Sequence, residues 1–254
     1  MSARRSPARL LAHPLGERLA LGVAVTAFYL LYVPLSRMPP EGPLHQPVTA
    51  LDRALPLDPR WMYVYAAVLV TAFLPALAVA HRLLFRRVCL AYALVQAAAF
   101  GIFRLWPVEV ALRPARVEPT SFARWGLALT YLVDRPGSCF PSLHVTMAVL
   151  AALCTWKVDR PVGALGALLG LCIATSTLMV KQHYLADVPA GFALATVAWA
   201  LLVRPWRPPA GDLARLRSPR WAPALLIPAY LAVVAALYVL YRLELPPALF
   251  QTPT

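Results

Sequence analysis

The sequence predicts an all-α fold, a polytopic membrane helix bundle of six core transmembrane helices with a seventh at the C-terminus. Three observations carry that expectation. The chain is 60% hydrophobic and 14% charged, whereas soluble domains run at roughly 45–50% apolar and about 25% charged. The apolar residues gather into several runs of about 20 residues, the length that crosses a hydrocarbon core about 30 Å thick. So many runs cannot all be buried in a soluble fold of 254 residues. The basic residues fall mainly between the runs, so the net charge of +13 reads as membrane orientation rather than a nucleic-acid-binding face.

The elements follow in order. Leu19–Leu35 comes after a basic N-terminus and has no small-residue cleavage site behind it, so it reads as a retained helix and not a removed signal peptide. Arg37–Arg60 is rich in proline and is expected to be irregular, with amphipathic pieces on the membrane surface. Trp61–Ala80 and Val88–Trp106 form the second and third spans. Pro107–Cys139 is a long connection holding Arg113, Arg116, Arg124 and Arg135 before the abrupt Cys-Phe-Pro-Ser-Leu-His start of the fourth span, Pro141–Trp156. That span is short, and is expected to begin inside a protein-lined cavity. Val162–Val180 and Tyr184–Val203 come next. A proline- and arginine-rich connection, Arg204–Arg220, then leads to Trp221–Tyr241.

The bias of Lys and Arg sets the orientation. With the N-terminus inside, the inner segments hold Arg4, Arg5, Arg9 and Arg18, then Arg82, Arg86 and Arg87, then Lys157 and Arg160. Arg204, Arg207, Arg215, Arg217 and Arg220 complete a set larger than half of the 24 basic residues. Seven spans put the C-terminus outside. The four cysteines, Cys89, Cys139, Cys154 and Cys172, show no metal-ligand spacing. Three lie in apolar runs as small hydrophobes, and only Cys139 is expected to face the outer aqueous side.

Of the five histidines, His13 and His81 fall on the inner side and His45 in the proline-rich connection, all three reading as solvated surface residues. His144 and His183 each open a helix on the outer side, at a depth where ionisable groups are costly and line cavities. His183 is followed by Asp187 at i+4, on one helical face. The carboxylate would hold the imidazole in one tautomer and free the other nitrogen for attack or proton transfer. The same spacing also suits a metal or a plain helix-stabilising hydrogen bond. Ser142, after Pro141, is either an ordinary helix cap or a hydroxyl presented beside free backbone N–H groups that attract anions. Together, two histidines, an orienting carboxylate, a serine at a helix start and several cations supply what phosphoryl transfer needs: a nucleophile, an acid for the leaving oxygen, and positive groups around the phosphoryl oxygens.

Phe-Pro-Ser-Leu-His (Phe140–His144) and Ser-Thr-x5-His-x3-Asp (Ser176–Asp187) resemble the second and third signatures of the type-2 phosphatidic acid phosphatase superfamily, usually Pro-Ser-Gly-His and Ser-Arg-x5-His-x3-Asp. The resemblance covers roughly Arg104–Gly191. Its wording, Cys-Phe-Pro-Ser-Leu-His with Lys-Gln-His-Tyr-Leu-Ala-Asp, is most similar to the branch that includes inositol phosphorylceramide synthases. The resemblance implies that His183 is the nucleophile, forming a phosphohistidine, that Asp187 orients it, and that His144 protonates the leaving alkoxide. Ser142 and nearby N–H groups would bind phosphate oxygens.

Of the first signature, Lys-x6-Arg-Pro, only Arg113-Pro114 is present, with Trp106 at the lysine position; Arg104 and Arg116 are both candidates for the missing charge. Thr177 replaces the phosphate-binding arginine of the third signature and Leu143 the glycine of the second. Lys181 either restores the lost charge or is an interfacial lysine reaching toward headgroups. The resemblance implies no cofactor and no metal, a phosphorylated lipid as substrate and the bilayer as partner. One membrane-embedded domain over residues 1–254 is expected, with a catalytic core at about 88–203 and an added helix at about 221–241. A bacterial inner membrane, with the site on the periplasmic or extracellular side, is the expected location. The competing expectation is a non-enzymatic lipid or proton-coupled transporter, which needs charges spread through the helix middles. An intramembrane serine hydrolase lacks its Gly-x-Ser-x-Gly context around Ser142.

Overall fold

A computed structural model describes residues 14–39, 42–134, 137–208 and 216–249. Arg4, Arg5, Arg9, His13, Arg135 and Arg215 lie outside the described residues. The fold is all-helical, with no strand among the described residues. Among the described residues four helices are long and apolar enough to cross a membrane: Gly16–Arg37, Arg82–Leu105, Arg160–Met179 and Ala222–Arg242. The apolar helices Leu143–Trp156 and Asp187–Val203 are shorter.

Prolines set the interruptions. The first long helix is α1 (Pro14–Leu30) and α2 (Tyr32–Arg37), joined at Leu31, because Pro34 has no N–H to offer the Leu30 carbonyl. After a short α3 (Ala50–Ala54), the expected span Trp61–Ala80 is three pieces: α4 (Met62–Ala66), α5 (Val68–Thr71) and α6 (Leu74–Ala78). Pro75 cannot donate to the Thr71 carbonyl, and the chain turns before it. The Ala72 carbonyl exposed there accepts from the Tyr92 hydroxyl at 2.9 Å, and the Thr71 hydroxyl donates back to the Ala67 carbonyl at 2.7 Å. Helix α7 (Arg82–Leu105) is continuous. Helix α8 (Phe122–Val133), capped by Ser121, stands inside the connection Pro107–Cys139, where the sequence pattern predicts no helix.

Helices α9 (Leu143–Trp156) and α10 (Arg160–Met179) form a tight antiparallel hairpin. Gly163, Gly166 and Gly170 of α10 face Trp156, Ala152 and Ala148 of α9. A Cβ on Gly163 would stand 2.4 Å from the Trp156 Cα, so the small-residue ladder is what lets these backbones meet. Helix α11 (Asp187–Ala198) runs into a π-helical turn, Trp199–Val203, and α12 (Leu226–Arg242) is the last α-helix of the described residues. The largest apolar core joins α7 to α9 and α11 through Leu84, Val95, Val145 and Leu150.

Polar contacts sort to two ends of the bundle. At one end Glu17 pairs with Arg82 and Arg86, Lys157 donates to the Arg204 carbonyl at 2.9 Å, and Arg217 meets Asp159 at 3.4 Å. At the other end His45 N–H donates to the Pro107 carbonyl at 2.9 Å, and the Lys181 amine donates to the carbonyls of Asp52 and Leu55. The segments expected to lie inside are those gathered at the first end, and both site histidines are at the second.

Candidate active site

The site grows out of the reversal after α10. Lys181 takes a φ of 52°, the left-handed conformation that ends many helices, and the amides of Gln182 and His183 turn back to the Thr177 carbonyl at 2.9 and 3.2 Å. His183 therefore sits in the turn before α11 and not on that helix, as the i,i+4 spacing suggests. Asp187 closes the gap by reaching back: as the first residue of α11, its carboxylate accepts from the Tyr184 N–H at 2.8 Å and lies 3.2 Å from His183 Nδ1. The turn is fastened from outside as well. Asp52 of α3 accepts from the Leu185 N–H at 2.7 Å, and the buried Tyr184 hydroxyl donates to the Glu109 carbonyl at 2.9 Å and accepts from the Ala111 N–H at 2.8 Å.

His144, in the first turn of α9, faces this turn. Its Nδ1 is 3.3 Å from His183 Nε2, and its Nε2 is 2.7 Å from the Tyr65 hydroxyl of α4. The two carriers are locked by short backbone contacts. The Ser142 N–H donates to the Asp187 carbonyl at 3.2 Å, and the Thr146 hydroxyl reaches both the Ser142 and Gly191 carbonyls. Gly191 makes that approach possible, since a Cβ there would be 2.7 Å from the Ser142 carbonyl oxygen.

Of the expected arginines, Arg113 lines the pocket that holds the histidines, a small pocket shared with Tyr32, Asp134, Gln182, His144 and His183. Its guanidinium donates to the Asp134 carbonyl at 2.6 Å, hydrogen-bonds the Gln182 side chain, and lies over the Tyr131 ring at 4.9 Å. The Asp134 carboxyl accepts from the Tyr32 hydroxyl. Burial pushes its pKa above the usual carboxylate value, against the pull of Arg113, the Tyr32 hydroxyl and His183.

The remaining candidates stand elsewhere. Lys181 turns its ammonium onto the Asp52 and Leu55 carbonyls at 2.8 and 2.7 Å, holding α3 against the turn. Arg116 pairs with Glu118 at 2.6 Å, and Arg104 donates to the Pro39 carbonyl at 2.8 Å. Ser142 is fully buried as the cap of α9, its hydroxyl accepting from the Val145 N–H at 3.3 Å. Cys139 is buried too, its thiol against the Val108 carbonyl, and does not face water. Four residues that sequence reasoning passed over belong to the site: Tyr65, Tyr32, Gln182 and Asp134. Only Asp134 left a trace, an isolated acid at the end of an apolar stretch; the aromatic residues look like any membrane tyrosine until the fold is known.

Beside the polar pocket lies a cavity of about 270 Å³ with an almost wholly apolar wall. It runs between α1, the broken α5–α6 segment and α7, and shares Tyr29, Leu143 and His144 with the polar pocket. Gln96 stands in its wall, fully buried, with neither amide atom hydrogen-bonded.

A family model described as the PAP2 superfamily matches residues 40–201, a stretch that holds both histidines, Asp187 and Arg113. No curated protein and no solved structure matches the chain.

Proposed function

The chain belongs to the PAP2 superfamily, and from that premise we propose that it is a membrane enzyme transferring phosphoryl groups of lipids through a phosphohistidine on His183. Family membership itself points to phosphatase or phosphotransferase chemistry on phosphorylated substrates. The observation that carries the finer reading is the approach of the two rings: His183 Nε2 and His144 Nδ1, 3.3 Å apart, with Asp187 behind His183 and an apolar cavity opening at His144. Asp187 takes the Nδ1 proton of His183 as a hydrogen bond and leaves Nε2 with a lone pair. That nitrogen attacks phosphorus, the P–O bond to the leaving alcohol breaks, and His144 supplies the proton. Arg113 offers the charge that gathers phosphoryl oxygens. The apolar cavity takes the lipid chain and brings the phosphate to the polar pocket.

In the second half of the cycle an acceptor oxygen attacks the phosphohistidine. Water gives a phosphatase, and a second lipid alcohol gives a phosphotransferase of the kind that the inositol phosphorylceramide synthase-like wording suggests. The bilayer arrangement belongs to this reading: six core crossings and a seventh C-terminal helix, in a bacterial inner membrane, with the histidines on the periplasmic or extracellular side.

The test is turnover by the purified protein in liposomes against His183→Ala, with phosphatidic acid, an isoprenyl diphosphate and phosphatidylinositol as substrates. Free phosphate and new lipids are followed by mass spectrometry. Wild type should turn over at least one of them and trap a phosphoenzyme, and His183→Ala should lose both. Equal activity of the two proteins would remove His183 from the nucleophile's place.

A further inference from the structure

The His144 ring has two nitrogens, and only one of them can serve the phosphoryl group. The surroundings decide which. Asp187 faces His183 Nδ1 at 3.2 Å, and a carboxylate accepts only, so that nitrogen carries the proton. Neutral His183 then presents a bare Nε2. Facing it at 3.3 Å, His144 Nδ1 has to be a donor, and His144 Nε2 is left bare. The Tyr65 hydroxyl, 2.7 Å from that nitrogen, has to donate to it. With both imidazoles neutral, one assignment satisfies the whole row: Tyr65 to His144, His144 to His183, His183 to Asp187.

We propose that Tyr65 is a positioning residue for the reaction at His183, holding His144 by Nε2 so that Nδ1 is the nitrogen turned to the leaving oxygen. The inference rests on the reading of His183 as nucleophile. The surroundings of Tyr65 suit that role. It is buried in α4, its ring lies 4.6 Å from the His144 ring, and α4 ends one residue later at the break on Ala67. A phosphate ester displaces the hydrogen bond between the rings. The monoanionic ester brings one proton, since the second ionisation of such phosphates falls near about 6. With that proton moved through solvent to Nε2, the one His144 nitrogen still bare, the ring is an imidazolium and the ester a dianion. The Tyr65 hydroxyl, able to accept as well as donate, then takes Nε2–H without releasing the ring. As His183 Nε2 forms its bond to phosphorus, the electrons of the breaking P–O bond go to the leaving oxygen, which takes the Nδ1 proton and departs as the alcohol. In the return step the acceptor oxygen gives its proton back to Nδ1.

A positioning role for the acid predicts dependence on the leaving group. An alkoxide needs its proton; a nitrophenolate leaves without one. The experiment compares wild type with Tyr65→Phe, which keeps the ring and removes the hydroxyl, on a short-chain alkyl phosphate and on p-nitrophenyl phosphate, with kcat measured against pH. General acid catalysis contributes about 10²–10⁴-fold, so partial misplacement of the acid should slow the alkyl ester by roughly 10–100-fold. The alkyl-to-aryl rate ratio should fall at least about tenfold, and the acidic part of the pH profile should move. The melting temperature in detergent, read on the same samples, checks that the variant is folded. An equal fall on both esters, or none on either, with the pH profile unmoved, would overturn the role of Tyr65 while leaving His183 in place. A wild type that forms no phosphoenzyme from either ester would instead remove the reading beneath it, and this inference with it.

Discussion

Asp134 poses the sharpest question at the scale of single residues, because a carboxylate lines the same pocket as the arginine meant to hold a phosphate. Its pKa is raised by burial, which favours the protonated form, the form that repels no anion and can donate a hydrogen bond to one. The consequence for stability has a definite sign. A carboxyl whose folded value lies above its unfolded one, near 3.8, stabilises the fold fully below that ordinary value and loses the contribution as pH rises through the raised one. Asp134→Asn should therefore gain in melting temperature relative to wild type as pH climbs through this window, measured in detergent from pH 4 upward. The same variant should flatten any rise of KM for a phosphate ester with pH. A difference independent of pH would mean that Asp134 titrates normally. Asp134 also marks how far residues can be read from sequence. The His144, His183 and Asp187 spacing was legible because those groups are close in sequence or fixed in motif. Tyr65 and Asp134 reach the site from positions 79 residues before His144 and across an unforeseen helix, distances that no local pattern encodes.

Elements fix how accurately the two histidines meet, and the interface of α9 with α11 is the critical one. Its closeness depends on Gly191, whose hypothetical Cβ clashes with the Ser142 carbonyl at 2.7 Å and crowds Val145 at 3.1 Å and Thr146 at 3.2 Å. None of these partners is a flexible side-chain end, so the helices must part. Gly191→Ala should lower turnover by roughly tenfold or more and cost about 1–3 kcal/mol of stability, the usual range for overpacking. Gly101→Ala is the control: nothing lies within 4 Å of the added carbon, and the variant should match wild type in a side-by-side assay and thermal melt. If Gly191→Ala also matched wild type, the close approach would not be what aligns the site. The long apolar runs were readable in the sequence because hydropathy alone specifies them. The division of Trp61–Ala80 was not, although Pro75 signalled it, because a proline inside a membrane run by itself only kinks the helix, and the polar partner at the break, the Tyr92 hydroxyl on the Ala72 carbonyl, comes from another helix. Helix α8 was not legible because it is short and lies in a segment punctuated by prolines and arginines, although its apolar face buries Trp125 and Leu127.

At the scale of the whole molecule, the exposed surface argues for a lipid solvent. No residue of α12 is buried, and α1–α2 buries little of its length. Leu165, Leu168 and Leu171 of α10 point outward with more than half of their surface uncovered, a distribution that water would penalise and acyl chains would not. Within that belt the polar contacts gather at the two ends, and the proposed orientation puts the arginine-rich end in the cytoplasm, as the positive-inside rule expects. On that proposal the histidine end faces outward, which predicts the labelling of two single-cysteine variants. Arg60→Cys, at the histidine end and highly exposed, should react with a membrane-impermeant maleimide in intact cells. Arg207→Cys, exposed at the arginine end, should react only after the membrane is opened. The native thiols give a quiet background, since Cys89, Cys139 and Cys154 are buried, and the unsubstituted protein measures what Cys172 adds. Reversed labelling would place the histidines in the cytoplasm, and a phosphate ester presented from outside would then have no route to them. Labelling of both sites in intact cells would break the link between the arginine-rich end and the cytoplasmic face, and the alternation of the chain between two membrane sides would have to be redrawn.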